Sequence, residues 1–426
     1  MYLCTMKTNH EYNFAELTNG IRLIHKSSNT QIVHLGFFIN VGSRDETEQE
    51  HGLAHFIEHV VFKGTAKRKS YQIFNCIENV GGDLNAFTTK EDTCIHASFT
   101  KEYFERAAEL ISDVAFNSIF PEQELAKEKD IIVDEIFYYK DIPEELIFDE
   151  FEEMMFAGHP LGRNILGNPS RIQKFTKSDI DKFIKKNYTP QNMLISVVGD
   201  IEFSKVVKII KKYYEKEFLE TGIAHKRKSF KNYNPTSNIV PKKIFQSHCV
   251  MGNVAYSHFS KHKVGLTLLN NLLGGSASNA ILNMAVREKH GLTYNIESNY
   301  APYYDTGIFS IYVSADNDSL EKAVHIIGKE LKKLRDTKMG SLQLSRAKHQ
   351  LIGNLALSFE SKIAEMLSLG KTCLIFNQVD TIEDINKKIE RITAEELLYI
   401  SNEIFDTNRF TQLIYQSNES YRTEDT

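Results

Sequence analysis

The amino-acid sequence lacks the usual signals for membrane insertion and export. No run of about 18 apolar residues occurs, so no membrane-spanning helix is expected. The N-terminal stretch MYLCTMKTNHEYNF has neither the basic region and long apolar stretch of a secretory signal nor the Arg- and Ser-rich pattern of a presequence. We therefore expect a cytoplasmic protein, with Met1 and Met6 both open as the start of translation.

Cysteines are few and scattered, and basic charge is not concentrated anywhere. No CxxC pair occurs among the five cysteines, which are Cys4, Cys76, Cys94, Cys249 and Cys373. An odd, dispersed set is typical of free thiols in a reducing compartment and not of a disulfide framework. The formal net charge is -5 and no long basic block occurs, so the composition predicts neither nucleic acid nor a membrane as a partner.

The first half of the chain carries a regular series of strand and helix patterns. In order, these predict strand, strand, helix, helix, strand, strand, helix, helix, strand and helix over Gly20–Ser28, Gln31–Val41, Gly52–Lys63, Tyr71–Val80, Asp83–Thr88, Thr93–Thr100, Tyr103–Asn117, Pro121–Tyr139, Asn192–Val198 and Phe203–Phe218. Residues 220–241 are polar and mixed, without apolar periodicity, and we interpret them as a linker.

The second half repeats this order and spacing. Strand, helix, helix, strand, strand, helix, helix and strand are predicted over Phe245–Tyr256, Val264–Leu273, Ala277–Glu288, Tyr294–Ala301, Gly307–Val313, Ser319–Asp336, Ser341–Gly370 and Phe410–Gln416. The sequence therefore predicts an α+β fold built from two duplicated halves, residues 1–219 and 242–426. Two unrelated domains are the alternative.

The segment HGLAHFIEHVVFKG at residues 51–64 carries the chemistry. Within it, His55, Glu58 and His59 form H-x-x-E-H, whose i, i+3, i+4 spacing places all three on one helical face. Two imidazoles one turn apart can bind one tetrahedral ion, while the carboxylate between them reaches water instead of the ion. The opposite face is apolar, with Leu53, Ile57, Val60 and Val61. The competing interpretation is the solvated polar face of an ordinary amphipathic helix.

A catalytic zinc site needs a third protein ligand and one position open to water. Candidates lie in the helix predicted at Pro121–Tyr139, where Glu128 and Glu135 are two turns apart on one face. Ile131, Ile132 and Ile136 are expected on much the same side, so both carboxylates should face the interior. We interpret Glu135 as the ligand and Glu128 as a group that orients a ligand. Asp134 is shorter and points another way, so it ranks below Glu135.

These motifs resemble the pitrilysin-type zinc peptidases, the M16 family, which includes insulin-degrading enzyme, the mitochondrial processing peptidase and their bacterial relatives. The H-x-x-E-H order is the inverted zincin motif, and its spacing to Glu128 and Glu135 matches that family. The resemblance covers essentially the whole chain and includes GSRDE at 42–46, AHFIEHVVFKGT at 54–65, GGDLNAFTTKED at 81–92, HPLGRNILG at 159–167 and YTPQNMLISVVGDI at 188–201. The length fits the bacterial processing-peptidase-like subfamily.

The resemblance implies two α/β-sandwich-type halves of the processing-peptidase fold, closed like a clam-shell around a chamber. It implies one Zn²⁺ per chain on His55, His59 and Glu135, with Glu58 as the general base. The first half would be the zinc-binding catalytic domain and the second a metal-free repeat that binds substrate. The expected activity is that of a metalloendopeptidase acting on peptides or unfolded polypeptide segments.

The resemblance also implies substrate-binding residues. The family carries an Arg and a Tyr seven residues apart in its second half, and this chain has Arg287 and Tyr294 within REKHGLTY. An Arg fork can hold a peptide carbonyl, and a Tyr hydroxyl can stabilise an oxyanion. The strand Asp83–Thr88 resembles the edge strand with which the family pairs substrate backbone, placing Asn85 and Ala86 at the contact.

The second half gives an internal comparison for the metal site. When Gly265 is aligned with Gly52, the ligand positions become Leu268, Asn271 and Leu272, so we expect the repeat to keep the scaffold without a metal. His51 and His96 lie near the motifs but are not expected to be ligands.

Three other functions stay open at this point. One is a non-catalytic scaffold subunit, and another is an active subunit that works only with a separate partner chain. A zinc-stabilised fold without hydrolysis is the third, and Glu58 argues against it because a structural site closes its fourth position with protein. Chains of this length resemble family members that pair, so a homodimer or a heterodimer with a related chain is expected.

Overall fold

The computed structural model describes residues 11–215 and 227–418. Cys4, the choice between Met1 and Met6, and residues 220–226 of the predicted linker lie outside the described residues. The strands are β1 Asn13–Glu16, β2 Arg22–Ser27, β3 Ile32–Ile39, β4 Asp83–Thr88, β5 Thr93–Thr100, β6 Met193–Gly199, β7 Ser237–Lys242, β8 Ser247–Ala255, β9 Asn295–Pro302, β10 Gly307–Ala315 and β11 Thr411–Ser417.

The helices alternate with these strands along the chain. They are α1 Leu53–Val60, α2 Ser70–Glu78, α3 Phe104–Asn117, α4 Glu122–Lys140, α5 Pro143–Met155, α6 Pro169–Ile172, α7 Lys177–Asn187, α8 Phe203–Tyr214, α9 Lys263–Gly274, α10 Asn317–Asp336, α11 Ser341–Phe359, α12 Lys362–Phe376, α13 Ile382–Glu390 and α14 Ala394–Ile404. Among the described residues, no helix is both long enough and apolar enough to cross a bilayer.

The first compact unit contains residues 1–136, 164–227 and 356–381. Its sheet has the strand order β1-β2-β6-β3-β5-β4, with β6 parallel to β2 and the other pairs antiparallel. Alternate side chains of β3 enter two different cores, because both faces of this strand are covered. Leu35 and Phe37 pack in the larger core beneath α1, α2, α3 and α8, whereas Phe38 packs against α12.

Helix α12 corrects the single helix predicted over Ser341–Gly370. The structure divides this segment at residues 360–361, where the Ser361 side chain accepts the Ala364 N–H and caps a new helix. The apolar pattern runs through the break, so periodicity alone did not reveal it. Met366 and Leu369 then bury the outer face of the first sheet.

The second compact unit contains residues 137–163, 228–355 and 382–426. Its sheet has the order β7-β11-β8-β10-β9, with β7 parallel to β11 and the remaining pairs antiparallel. This is the order and direction of β2-β6-β3-β5-β4 in the first unit, so the predicted duplication is confirmed. Helices α9, α10 and α14 pack on one face, and α5 packs Ile147 and Phe151 on the other.

The two compact units are discontinuous in sequence, which differs from the predicted division into 1–219, a linker at 220–241, and 242–426. Helix α5 comes from the first half of the chain and packs on the sheet of the second unit, while α12 does the reverse. Strand β7 also occupies residues assigned to the linker. Its sequence SNIVPK has no apolar alternation because it is a largely exposed edge strand, paired only with β11 among the described residues.

Candidate metal centre

Helix α1 presents the motif because its other face is anchored in the core. Leu53, Ile57 and Val60 are buried as the pattern predicts. The helix begins after Gly52, whose φ of 93° is in the left-handed region, and a Cβ there would lie 2.8 Å from the Cα of Gly167. The glycine therefore allows the segment at 164–167 to pack directly against the start of the zinc-motif helix.

Helix α4 supplies the second part of the site. Glu128 is buried, Glu135 is half-buried, and Ile132 and Ile136 anchor the helix in the core. The expectation that Ile131 shares this side is wrong, because it is 50% exposed; its position is 100° around the helix from Ile132. Asp134 is exposed.

Three potential ligands from α1 and α4 converge. His59 Nε2 lies 3.4 Å and His55 Nε2 lies 3.9 Å from Glu135 Oε2. Donors about 2.1 Å from a tetrahedral ion lie roughly 3.4 Å from one another, so these separations suit zinc. Among the described residues, His55, His59 and Glu135 form the group of three or more His, Cys, Asp or Glu side chains whose ligand atoms lie within 4.8 Å of one another.

The Glu135 carboxylate is the clearest sign that these residues fit a cation. Its Oε2 atom is buried and has no hydrogen-bond partner of good geometry among the described residues. A buried carboxylate oxygen without a partner is costly, whereas an ion placed among the two imidazoles and this oxygen satisfies all three. Imidazole and carboxylate are also ordinary zinc ligands.

Glu128 orients one of the histidines instead of joining the ligand group. His59 Nδ1 donates to Glu128 Oε2 at 3.3 Å, which leaves His59 Nε2 directed toward Glu135. The other oxygen of Glu128 accepts from Lys63 Nζ at 2.7 Å. The sequence interpretation missed Lys63, although its i+4 spacing from His59 places it one helical turn further along the same face.

The two imidazoles have opposite electrostatic surroundings. Burial and the nearby His59 ring lower the pKa of His55 to about 4. Burial also opposes protonation of His59, but the carboxylates of Glu128 and Glu135 outweigh it and raise its pKa to about 9. Both carboxyl groups have lowered pKa values because His59 stabilises their charged forms, assisted by Lys63 for Glu128. In the metal-free site, two ionised carboxylates therefore stabilise a protonated His59, which must release its proton before it can bind a metal ion.

Glu58 lies beside the ligand group without joining it. Burial raises the pKa of its carboxyl group, and hydrogen bonds from Thr88 partly offset this effect. Thr88 is the last residue of β4, so the end of this edge strand lies at the candidate base. In the strand, Asn85 is exposed and Ala86 is half-buried. The Ala86 N–H donates to the Asn85 side-chain oxygen at 2.8 Å, in an exposed contact.

The remaining predicted site residues lie in the second unit. Arg287 belongs to a π-helical turn, Asn283–Glu288, and pairs with Glu288 at 2.9 Å. This turn occupies the second half of the α-helix predicted over Ala277–Glu288. Tyr294 is 87% exposed just before β9. The roles of Arg287 and Tyr294 stay predictions.

The residues that were not expected to bind metal lie outside the group formed by His55, His59 and Glu135. His51 Nε2 contacts the Asn164 carbonyl at 2.9 Å, and His96 lies on β5. Leu268, which the alignment of Gly265 with Gly52 places at the position of His55, is buried in the second core. The part of the chain that the structure describes contains no metal-type cluster in the second unit.

Comparisons with known proteins agree with this architecture. Residues 22–169 match the family profile described as Insulinase (Peptidase family M16), and residues 174–351 match Peptidase M16 inactive domain. A Rickettsia bellii protein described as an uncharacterized zinc protease is 30% identical over 421 residues, covering 97% of this chain and 100% of the relative. The uncharacterized zinc protease YmxG of Bacillus subtilis is 31% identical over 402 residues, with coverage of 94% and 97%.

Solved structures share the fold. A protease from Helicobacter pylori has a TM-score of 0.86 at 22% identity, covering 95% of this chain and 99% of that one. A Pseudomonas fluorescens structure titled peptidase M16 inactive domain has a TM-score of 0.88 at 18% identity, with coverage of 96% and 98%. On the profile matches and the full-length relatives, the chain belongs to the insulinase family, peptidase family M16, and is a zinc metallopeptidase.

Proposed function

We propose that this zinc peptidase hydrolyses internal bonds of peptides or unfolded polypeptide segments, with Glu58 as general base. The observation that carries the proposal is the convergence of His55, His59 and Glu135 from two helices, with ligand atoms within 4.8 Å of one another. Three protein ligands leave one position for water, which is typical of a catalytic and not a structural zinc site.

The chain's own groups move the protons of the reaction. When bound, a zinc ion lowers the pKa of water toward about 7 and polarises a peptide carbonyl. Glu58 accepts a proton from the attacking water as the new C–O bond forms. It then delivers that proton to the amine nitrogen as the C–N bond breaks, so its carboxylate is regenerated. The raised pKa of the buried Glu58 carboxyl favours holding the proton between these two transfers.

Glu128 and the edge strand position the reactants. Glu128 accepts from His59 Nδ1 and so directs the other imidazole nitrogen to the ligand group. We propose that an extended substrate pairs with the free edge of β4 around Asn85 and Ala86. The Ala86 N–H donates to the exposed side-chain oxygen of Asn85, a contact that a substrate carbonyl would replace on pairing. Main-chain pairing gives weak side-chain selectivity, in keeping with broad peptide use.

Arg287 and Tyr294 are proposed to complete substrate binding. The guanidinium of Arg287 would hold a peptide carbonyl and the hydroxyl of Tyr294 would stabilise the oxyanion of the tetrahedral intermediate. Tyr294 is 87% exposed, so its hydroxyl is accessible to a substrate.

Glu58→Gln tests the assignment of the base. We expect this variant to retain about one zinc per chain and to lose at least ~100-fold in kcat on a fluorogenic peptide, because the amide cannot accept the proton. Glu153→Gln, on α5, is the matched control and should leave both values unchanged. Normal turnover by Glu58→Gln would contradict the assignment.

A partner-dependent or non-catalytic subunit is the alternative, and the match of residues 174–351 to a domain described as inactive leaves it open. The purified chain alone, assayed with and without a chelator, separates these functions. Activity that a chelator abolishes and zinc restores indicates a self-sufficient enzyme. Zinc binding without activity indicates a missing partner.

We further propose that the protein is cytoplasmic. The family resemblance implies that it forms a homodimer or pairs with a related chain. Light scattering on the purified chain tests the homodimer, and cell fractionation tests the compartment. A monomer that gains activity when a related chain is added would indicate the heterodimer.

A further inference from the structure

The segment that precedes α1 is both charged and buried. Arg44, Asp45 and Glu46 are only 4%, 4% and 3% exposed. Asp45 forms a bidentate pair with Arg227, with Nε to Oδ1 and Nη2 to Oδ2 both at 2.9 Å. A fork of this kind is among the stronger polar contacts in proteins because both hydrogen bonds are charge-assisted and their geometry is fixed.

Glu46, the next residue, acts on the zinc-motif helix itself. Its carboxylate accepts the backbone N–H groups of Gly52 at 2.9 Å and Ala54 at 2.7 Å. Because Gly52 has no side chain with which to cap α1, Glu46 satisfies N–H groups that the first turn leaves open. Its negative charge also complements the positive end of the helix dipole.

Arg227 reaches a second part of the site through Glu91. Its Nη2 donates to the Glu91 carbonyl at 2.6 Å and to the Asn40 carbonyl at 3.1 Å, while the Glu91 side chain pairs with Arg44. Residues 89–92 form the turn that follows β4. The strand ends at Thr88, which hydrogen-bonds Glu58.

We propose that Arg227 is a positioning residue of the active site. By holding Asp45 and the turn at 89–92 together, it seats Glu46 on the start of α1 and keeps the end of β4 against Glu58. Arg227 is also the last residue of the first unit before the chain enters the second. This inference rests on the proposed function of α1 and β4, and it assigns no new ligand.

Loss of Arg227 is expected to disturb the start of α1 because Asp45 is next to Glu46 in the chain. Without the guanidinium, the buried Asp45 carboxylate loses two charge-assisted hydrogen bonds, which is strongly unfavourable. The loop relieves this by moving toward water, and Glu46 moves with it because the two residues are adjacent. A displacement of about 1 Å in a catalytic group is enough to reduce turnover ~100-fold.

Arg227→Met is the test, with three readouts on the full chain. Hydrogen exchange measured over residues 46–56 reports the Glu46 bonds to Gly52 and Ala54 directly. Chelator competition gives the zinc affinity, and peptide assays at saturating zinc give kcat and KM separately. We expect faster exchange, zinc affinity reduced about 10-fold or more, and a fall in kcat of about 10- to 100-fold that exceeds any change in KM.

Lys26→Met is the matched control for a purely structural role. Lys26 is a cation of the same unit that bridges Glu11 and the buried Glu365, at 2.6 Å each. Its loss should lower the melting temperature while exchange at 46–56, zinc affinity and kcat stay near wild type. If Arg227→Met is not folded, Arg227→Lys, which keeps the charge and loses the fork, is judged by the same readouts.

The proposal is overturned if the folded Arg227 variant matches wild type in exchange, zinc affinity and kcat within about twofold. It is also overturned if the Lys26→Met control changes these values as much as the Arg227 variant does. A wild-type chain that binds zinc but cleaves no peptide contradicts the proposed function instead, since the exchange and affinity readouts still decide the role of Arg227.

Discussion

Gly370→Ala is expected to destabilise the first unit although alanine is the better helix former. Gly370 lies within α12, and a Cβ at this position would overlap the ring of Phe38, at 2.5 Å from Cζ and 2.8 Å from Cδ2. Phe38 is 0% exposed, so the ring has no solvent-filled space into which to turn. Overpacking at a rigid site costs up to about 3 kcal/mol, and the helix propensity of alanine returns about 1 kcal/mol. We expect a net loss of about 2 kcal/mol.

Gly353→Ala makes the same chemical change where there is room. Gly353 lies within α11, and a Cβ there would meet nothing within 4 Å. This variant should gain about 0.5–1 kcal/mol, because alanine loses less backbone entropy than glycine on entering a helix. Differential scanning calorimetry of both variants measures whether each substitution raises or lowers the melting temperature. For a unit of this size, the Gly370 variant should melt roughly 4–8 °C lower.

The reasoning about Gly370 is refuted if both variants are stabilised alike. A further check uses the Phe38→Leu background, in which the smaller side chain makes space for the new methyl group. The added cost of Gly370→Ala should shrink by about 1 kcal/mol or more in that background, since the two sites are in direct contact. Purely additive changes would show that the clash with Phe38 is not the cause.

Three further predictions concern the metal site and pH. Added zinc should raise the melting temperature, because a ligand present at 100 times its Kd stabilises by about 2.7 kcal/mol; in Glu135→Gln this shift should be much smaller, and an equal shift would exclude Glu135 as a ligand. Lys63→Met should weaken zinc binding about 10-fold in chelator competition, because Glu128 loses the partner that holds it toward His59; unchanged affinity would show that Lys63 plays no part. Burial lowers the pKa of His25 from 6.5 to about 4. In the unfolded chain, His25 therefore binds a proton below about pH 6.5, whereas in the folded chain it stays neutral down to about pH 4. The free energy of unfolding should therefore fall by up to about 3 kcal/mol as the pH is lowered from about 6.5 to about 4. Urea titrations should show a smaller fall in His25→Phe, and identical pH dependence would contradict the assignment.

Much of the local structure could be predicted from patterns, because each depends on near neighbours in sequence. Strands β4 and β5 begin and end at the predicted residues, and α1 buries the apolar face that its spacing requires. The pairing of His55, Glu58 and His59 on one helix needs only 3.6 residues per turn. The seven-residue spacing of Glu128 and Glu135 likewise predicted that both face inward from α4.

Other features had no signal in the local pattern. Strand β7 lies in a polar stretch because an edge strand needs no apolar alternation. Helix α5 was not predicted, and the break between α11 and α12 was missed because apolar residues continue through it. The π-helical turn at Arg287 also follows from packing and not from propensity.

The sequence by itself predicted which side chains share a helical face, because residue types and helical spacing settle that, and the proposed zinc ligands follow from it. The tertiary structure decided the distances and partners that turn those residues into a site. It brings α1 and α4 together so that Glu135 Oε2 meets two imidazole nitrogens, and it directs Lys63 onto Glu128. It also places Arg227 on Asp45, 182 positions away in sequence. Contacts of this range are set by how the helices and strands pack, because no local periodicity encodes which distant charges will meet.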